Sequence, residues 1–216
     1  MSTIEKEITE LRKSLIRMFL LVENQWEKAA KAILDYDQDI AESISSAEKR
    51  INAQELKIDN DCENIIALHA PVAIDLRFIL TSYKINHALE HIADLAESVA
   101  QYVANNDIKY DKEILKELEI PHMLDTFNFM MDYIISAFEN KDSKIAEKVF
   151  KKDKMLNNIN NKAPEIISKY ILTHDKNMLL YILSTTRKIE RAGDSLKKIA
   201  EEIIYHLEAN KMKHTK

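Results

Sequence analysis

Glycine occurs once in these 216 residues, at Gly193. Average usage of about 7% would place roughly fifteen in a chain this long, and the only prolines are Pro71, Pro121 and Pro164. Tight hairpin turns need residues that accept positive φ or arrive with φ preset. A chain so poor in both cannot fold back every few residues, so an all-α architecture is predicted. A hydrophobic content of 46% is enough for a proper core, and disorder is expected only at the ends.

Helical periodicity is clearest where Ile44, Ile51, Ile58 and Ile65 recur every seven residues, with Ala47 and Leu68 assigned as supporting positions. This seam ends near Pro71, and a second amphipathic stretch runs through Leu76, Ile85, Leu89, Ile92, Ala96 and Val99 until Asn105-Asn106-Asp107 closes it. Upstream, Ile4 to Leu34 reads as a first helix with Ser2 or Thr3 as N-cap. Beyond Pro121 the pattern returns: Met123 matches Met18, Asp142 matches Asp37 and Asn157 matches Asn52 at an offset of 105, whereas Glu190, Asp194 and Ala200 match Glu90, Asp94 and Ala100 at an offset of 100. The second copy is therefore shorter between its second and third helices, an interval expected to contain Pro164. A tandem pair of three-helix bundles with six long helices is predicted, residues 1–106 forming the first repeat and 107–216 the second.

Charge narrows the function. The net charge of −5 comes from 31 basic and 36 acidic residues. Because they are interspersed, nucleic acid is excluded as the default partner. The basic tail Lys211–Lys216 reads as a solvated terminus. Residues Met1–Glu7 lack the apolar core of a secretory signal, and Met18–Val22 is far too short to cross a bilayer. Cys62 is the only cysteine, so no intrachain disulfide or cysteine-rich metal site is possible. A cytoplasmic protein is expected.

The acids carry the chemistry. Glu90 and Asp94 lie four residues apart on one helical face, and Glu190 and Asp194 repeat them at the same place in the second copy. Spacing alone says little, since 36 acids in 216 positions yield about six such pairs by chance. Recurrence says more. The middle helix of the first copy adds Glu48, Glu55 and Asp59, with Asn52, beside the isoleucine seam, so carboxylates from two helices can converge. Such crowding favours a bound cation, and oxygen ligation suits magnesium, calcium, manganese or iron. A catalytic di-iron bundle would need Glu-x-x-His pairs, and the one present, Glu119–His122, is broken by Pro121. His87 and His91 flank Glu90 and could support a site, although lone histidines on a helix are more often surface or packing residues. With no phosphate-cradling loop and no nucleophile beside a base, no enzymatic activity is expected.

The segment APVAIDLRFI (Ala70–Ile79) leading into LEHIAD (Leu89–Asp94), then IERAGD (Ile189–Asp194), resembles the signature of the PhoU family of phosphate-transport regulators, and the likeness spans nearly the whole chain. The resemblance implies two three-helix bundles, homodimerisation, and iron or zinc on surface Glu/Asp-x-x-x-Asp motifs. It also implies a regulator that couples a Pst-type phosphate ABC transporter to a phosphate-sensing histidine kinase, touching the membrane only through its partners. The alternative is a metal-binding bundle or an accessory of a Pit-type permease.

Carried onto this chain, the motif acids are Glu55, Asp59, Glu90, Asp94, Glu190 and Asp194. Glu48 and its counterpart Asp153 complete the metal-ligand candidates. Where the family favours Arg and Gly, the first copy has His91 and Ala93 while the second keeps Arg191 and Gly193. In the second middle helix Ile159 stands near an acid position, and Asn157 and Asn161 replace carboxylates, so a weaker or absent second metal site is expected. Gly193 should admit a neighbouring backbone or a bound cluster, with Ala93 doing the same in the first copy. No arginine cluster beyond Arg77, Arg187 and Arg191 suggests a phosphate site.

Overall fold

The computed structural model describes residues 3–106 and 108–209. Seven helices follow one another: α1 Thr3–Asp35, α2 Gln38–His69, α3 Ala73–Asn105, α4 Lys112–Glu117, α5 Ile120–Asn140, α6 Ser143–Ser168 and α7 Lys176–Glu208. No strand occurs among the described residues. Six helices are long, as expected, and the short α4 in the connection between the repeats was not foreseen. Ser2, Asp107 and the basic tail lie outside the described residues, and Thr3 belongs to α1 itself.

Aspartates start the helices. Asp37, Asp111, Asp142 and Asp175 each turn a side-chain oxygen onto backbone N–H groups of the first turn of α2, α4, α6 and α7, which meets donors the helix cannot satisfy itself. Pro121 sits in the first turn of α5, where its missing N–H costs nothing. With no glycine at their ends, α2 and α5 stop on left-handed Ala70 (φ 43) and Lys141 (φ 54).

Two sequence expectations need correcting. Pro164 lies inside α6, not in the connection that follows it, and the shortening falls within the helix itself: α6 has 26 residues against 32 in α2. In α2, the isoleucines are buried as expected, but their companions are Glu48, Gln54 and Cys62. Ala47 is only half-buried, and Leu68 is 73% exposed. The seam drifts because 3.6 residues per turn do not divide seven.

Helices α1, α2 and α3 pack against one another, as do α5, α6 and α7, and the two sets join through α3 on α7 and α1 on α5. Both joining pairs are antiparallel. Lys84 reaches Glu202 (2.9 Å) in the first half of α3, and Tyr102 packs at a tilt against Tyr181 (4.1 Å between centroids) near its end; Trp26 meets Phe127, and Phe19 meets Phe138. Since α5 and α7 are the repeat counterparts of α1 and α3, an approximate twofold relates the two halves, and one continuous hydrophobic core runs through both.

Candidate metal centre

In the first repeat the acids of α2 and α3 converge beside a buried amide. Glu48 is 6% exposed, and its Oε2 accepts from Nε2 of Gln25 on α1 (2.5 Å), which also donates to the Ala93 carbonyl (3.0 Å). Two turns away, Asn86 of α3, fully buried, donates to Asp59 Oδ1 (2.9 Å) and to the Glu55 carbonyl (3.0 Å). Two amides from neighbouring helices thus hold the row Glu48, Glu55, Asp59 in place. Neither can neutralise it.

His87 closes the outer side. Its Nδ1 lies 3.0 Å from Glu55 Oε1 and its Nε2 3.4 Å from Asp59 Oδ2, while the ring stands edge-on to Tyr83. A neutral imidazole has one N–H and one lone pair, so it can bond one carboxylate and offer the other nitrogen to a cation. One donor atom each from Glu55, Asp59 and His87 lies within 4.8 Å of the others. Ligands of one tetrahedral zinc ion stand about 3.4 Å apart, so side-chain shifts of about an ångström would let these three share a metal. The mixed oxygen and nitrogen set suits zinc or iron better than magnesium or calcium.

The remaining first-repeat acids press on the same place. Glu90 is pushed up to about 7 by burial, then by the charges of Asp94, Glu55 and Glu48. Glu48 is raised as well, chiefly by burial, against the lowering effect of the Gln25 bond. A divalent cation would relieve this repulsion directly. Asn52 is exposed and takes no part. Of the two flanking histidines, His91 is lowered by burial and by Arg191 and Lys198 of α7, with Asp94 opposing, and only His87 belongs to the close donor set. Its signal was legible as the row His87, Glu90, Asp94, spaced i, i+3, i+7 along one face. Gln25 and Asn86 carried no such signal, since isolated buried amides look like any other polar residue in sequence.

The second repeat brings Asp153, Glu190 and Asp194 together differently. Asp153 is 2% exposed, and its Oδ2 accepts from Lys197 Nζ (3.0 Å) and Asn157 Nδ2 (3.2 Å). Burial still raises the Asp153 carboxyl, with Lys197 opposing and Asp194 reinforcing; Glu190 is raised by burial and by Asp194 and Asp153, with Arg191 and Lys197 opposing. Among the described residues, Glu55, Asp59 and His87 are the only three His, Cys or acidic side chains whose donor atoms approach this closely. Ile159 is 7% exposed and belongs to the core. It corresponds to Gln54, not to an acid, and Asn161 is exposed.

Gly193 serves neither metal nor backbone. A Cβ there would meet Leu156 Cδ1 of α6 at 2.3 Å, so its smallness admits a leucine side chain. In the first repeat Ala93 and Ile51 hold the corresponding positions, and both are fully buried.

Comparison with known proteins agrees with this architecture. A family model described as the PhoU domain matches residues 15–103 and again 120–203, leaving α4 and its flanks between the two matches. The chain is 28% identical over 210 residues to the phosphate-specific transport system accessory protein PhoU homolog of Pseudomonas putida, covering 96% of this chain and 82% of that protein. It is 26% identical over 212 residues to the phosphate-specific transport system accessory protein PhoU of Escherichia coli K12, covering 96% and 86%. The crystal structure of PhoU from Pseudomonas aeruginosa superposes with a TM-score of 0.86 at 28% identity, covering 96% of this chain and all of that one. With both halves matched by the family model and the all-helical fold shared over nearly its whole length, this chain belongs to the PhoU family.

Proposed function

We propose that this protein is a non-catalytic regulator of phosphate uptake and of the phosphate-starvation response, acting as an adaptor between a Pst-type phosphate ABC transporter and a sensor histidine kinase. The observation that carries the reading is the family match over both repeats, in a family whose compared members are named as accessory proteins of phosphate-specific transport. Iron or zinc is held in the first repeat by Glu55, Asp59 and His87, with Glu48, Glu90 and Asp94 completing the charge. The metal supplies positive charge that fixes α2 against α3 and sets the shape of the surface they share. A homodimer working at the cytoplasmic face reaches the membrane only through its partners, and no helix among the described residues is long and apolar enough to cross one.

Alkaline phosphatase output in cells grown in ample phosphate tests this. Output should rise when the protein is absent, fall when it is restored, and stay high when a Glu55→Ala/Asp59→Ala version is supplied. Unchanged output on removal would exclude the regulator and leave a metal-binding bundle or a Pit-type permease accessory as the reading. Repression by the double variant equal to wild type would separate the regulatory role from the metal.

A further inference from the structure

Under the repeat offsets the two acidic clusters are one site built twice, and the residues that differ between them differ in a coordinated way. On α2 and α6, Glu48 becomes Asp153, Glu55 becomes Asn160 and Asp59 becomes Pro164; on α3 and α7, His87 becomes Arg187 and Glu97 becomes Lys197. Each first-repeat donor within 4.8 Å of its fellows is thus replaced by a neutral amide, by a proline with no donor, or by a guanidinium that cannot ligate a cation. Gln25, the neutral amide bonded to Glu48, has Met130 as its counterpart. A methionine cannot satisfy a buried carboxylate, and an unpaired one would be costly. The ammonium of Lys197, 3.0 Å from Asp153 Oδ2, takes over. The Lys197 side chain is 31% exposed and that of Asp153 2% exposed.

Resting on the reading that the first repeat binds metal, we infer that Lys197 is the resident cation of the second cluster, and that this cluster therefore takes no metal. The first repeat holds its buried carboxylate with an uncharged amide and keeps the cluster's negative charge for an external ion. The second holds it with the Asn157 amide and a covalently tethered positive charge, which repels a divalent cation and occupies one of the two Asp153 oxygens. The molecule is consequently asymmetric: metal supply governs one half of an approximately twofold structure and leaves the other unaffected.

Elemental analysis after dialysis against zinc tests this, in five proteins checked for helicity by circular dichroism: wild type, Glu55→Ala/Asp59→Ala, Glu190→Ala/Asp194→Ala, and, in the Glu55→Ala/Asp59→Ala background, the donor-restoring set Asn160→Glu/Pro164→Asp/Arg187→His first with Lys197 kept and then with Lys197→Glu. Zinc in the Glu190→Ala/Asp194→Ala protein should equal wild type, zinc in Glu55→Ala/Asp59→Ala should be lost, and the donor-restoring set should bring zinc back to the second repeat only on adding Lys197→Glu. Should this last protein fold only with metal present, zinc-dependent recovery of helicity reports the same gain. Loss of half or more of the wild-type zinc in the Glu190→Ala/Asp194→Ala protein would overturn the inference, as would no zinc on adding Lys197→Glu, or as much zinc with Lys197 kept. Zinc unaffected by Glu55→Ala/Asp59→Ala, or absent from wild type, would instead refute the first-repeat site, and the Lys197→Glu protein would still decide the role of the lysine.

Discussion

At Gly193 two effects oppose each other. Alanine is favoured over glycine in a helix by about 1 kcal/mol, but its Cβ would strike Leu156 Cδ1, and overpacking a core costs about 1–3 kcal/mol. Because the obstructing atom is the end of a flexible side chain, Gly193→Ala should destabilise by only about 1 kcal/mol in urea titration, and Gly193→Leu should prevent stable folding. Adding Leu156→Ile to Gly193→Ala reproduces the Ala93 and Ile51 pairing of the first repeat and should recover most of the loss. A double-mutant cycle with no coupling would show that the two positions do not share this space. The chain's avoidance of glycine has a converse at Ala70, held at φ 43 where α2 ends. A left-handed non-glycine residue costs about 1–2 kcal/mol, so Ala70→Gly should raise stability by about 0.5–1 kcal/mol. Chemical denaturation would check it.

At the scale of the element, α3 carries a titration set by burial and by acids of α3 and α2. Glu90 is raised to about 7 by burial and by its acidic neighbours, so between its unfolded pKa and 7 the native metal-free protein binds more protons than the unfolded chain. Stability from this group therefore increases on acidification and is lost as pH rises toward 7. His206 on α7 acts in the opposite sense: burial, with Arg12, Arg77 and Lys141 nearby, pulls it down to about 4, so its contribution is lost as pH falls below its ordinary value. A bare pH profile would mix the two. Comparing Glu90→Gln with wild type isolates the first: in chelator the variant should have the higher Tm at pH 8, and the gap should close by about pH 5. A constant gap across that range would mean that Glu90 is not held against its neighbours in solution.

Across the whole molecule, the joined core makes a statement about cooperativity. The only tryptophan, Trp26, is 2% exposed and packs against Phe127 of the other repeat, so its fluorescence reports the contact between halves while far-UV circular dichroism reports helix content. With α3 on α7 and α1 on α5 sharing buried side chains, the two probes should give superimposable urea transitions. Fluorescence changing at lower urea than helicity would show halves that separate before they melt.

Helical class, internal repeat and candidate acids were legible in the sequence because each rests on local chemistry. Scarce glycine and proline rule out hairpins, apolar spacing marks one face of a helix, and acids four apart share a face wherever that helix goes. The burial of Glu48, missed by a seam that placed Ala47 and Leu68 in its supporting positions, depended on how α2 rolls against its neighbours. Gln25 and Asn86 became supports for the acids, and His87 a bridge between Glu55 and Asp59, only when three helices packed together. Lys197 carries no signal of its own in the sequence; only the packing of α6 against α7 brings it to Asp153. Sequence by itself determined which groups line each helix face; the tertiary structure decided which faces meet, because desolvation and charge pairing depend on distances between atoms that the chain keeps tens of residues apart.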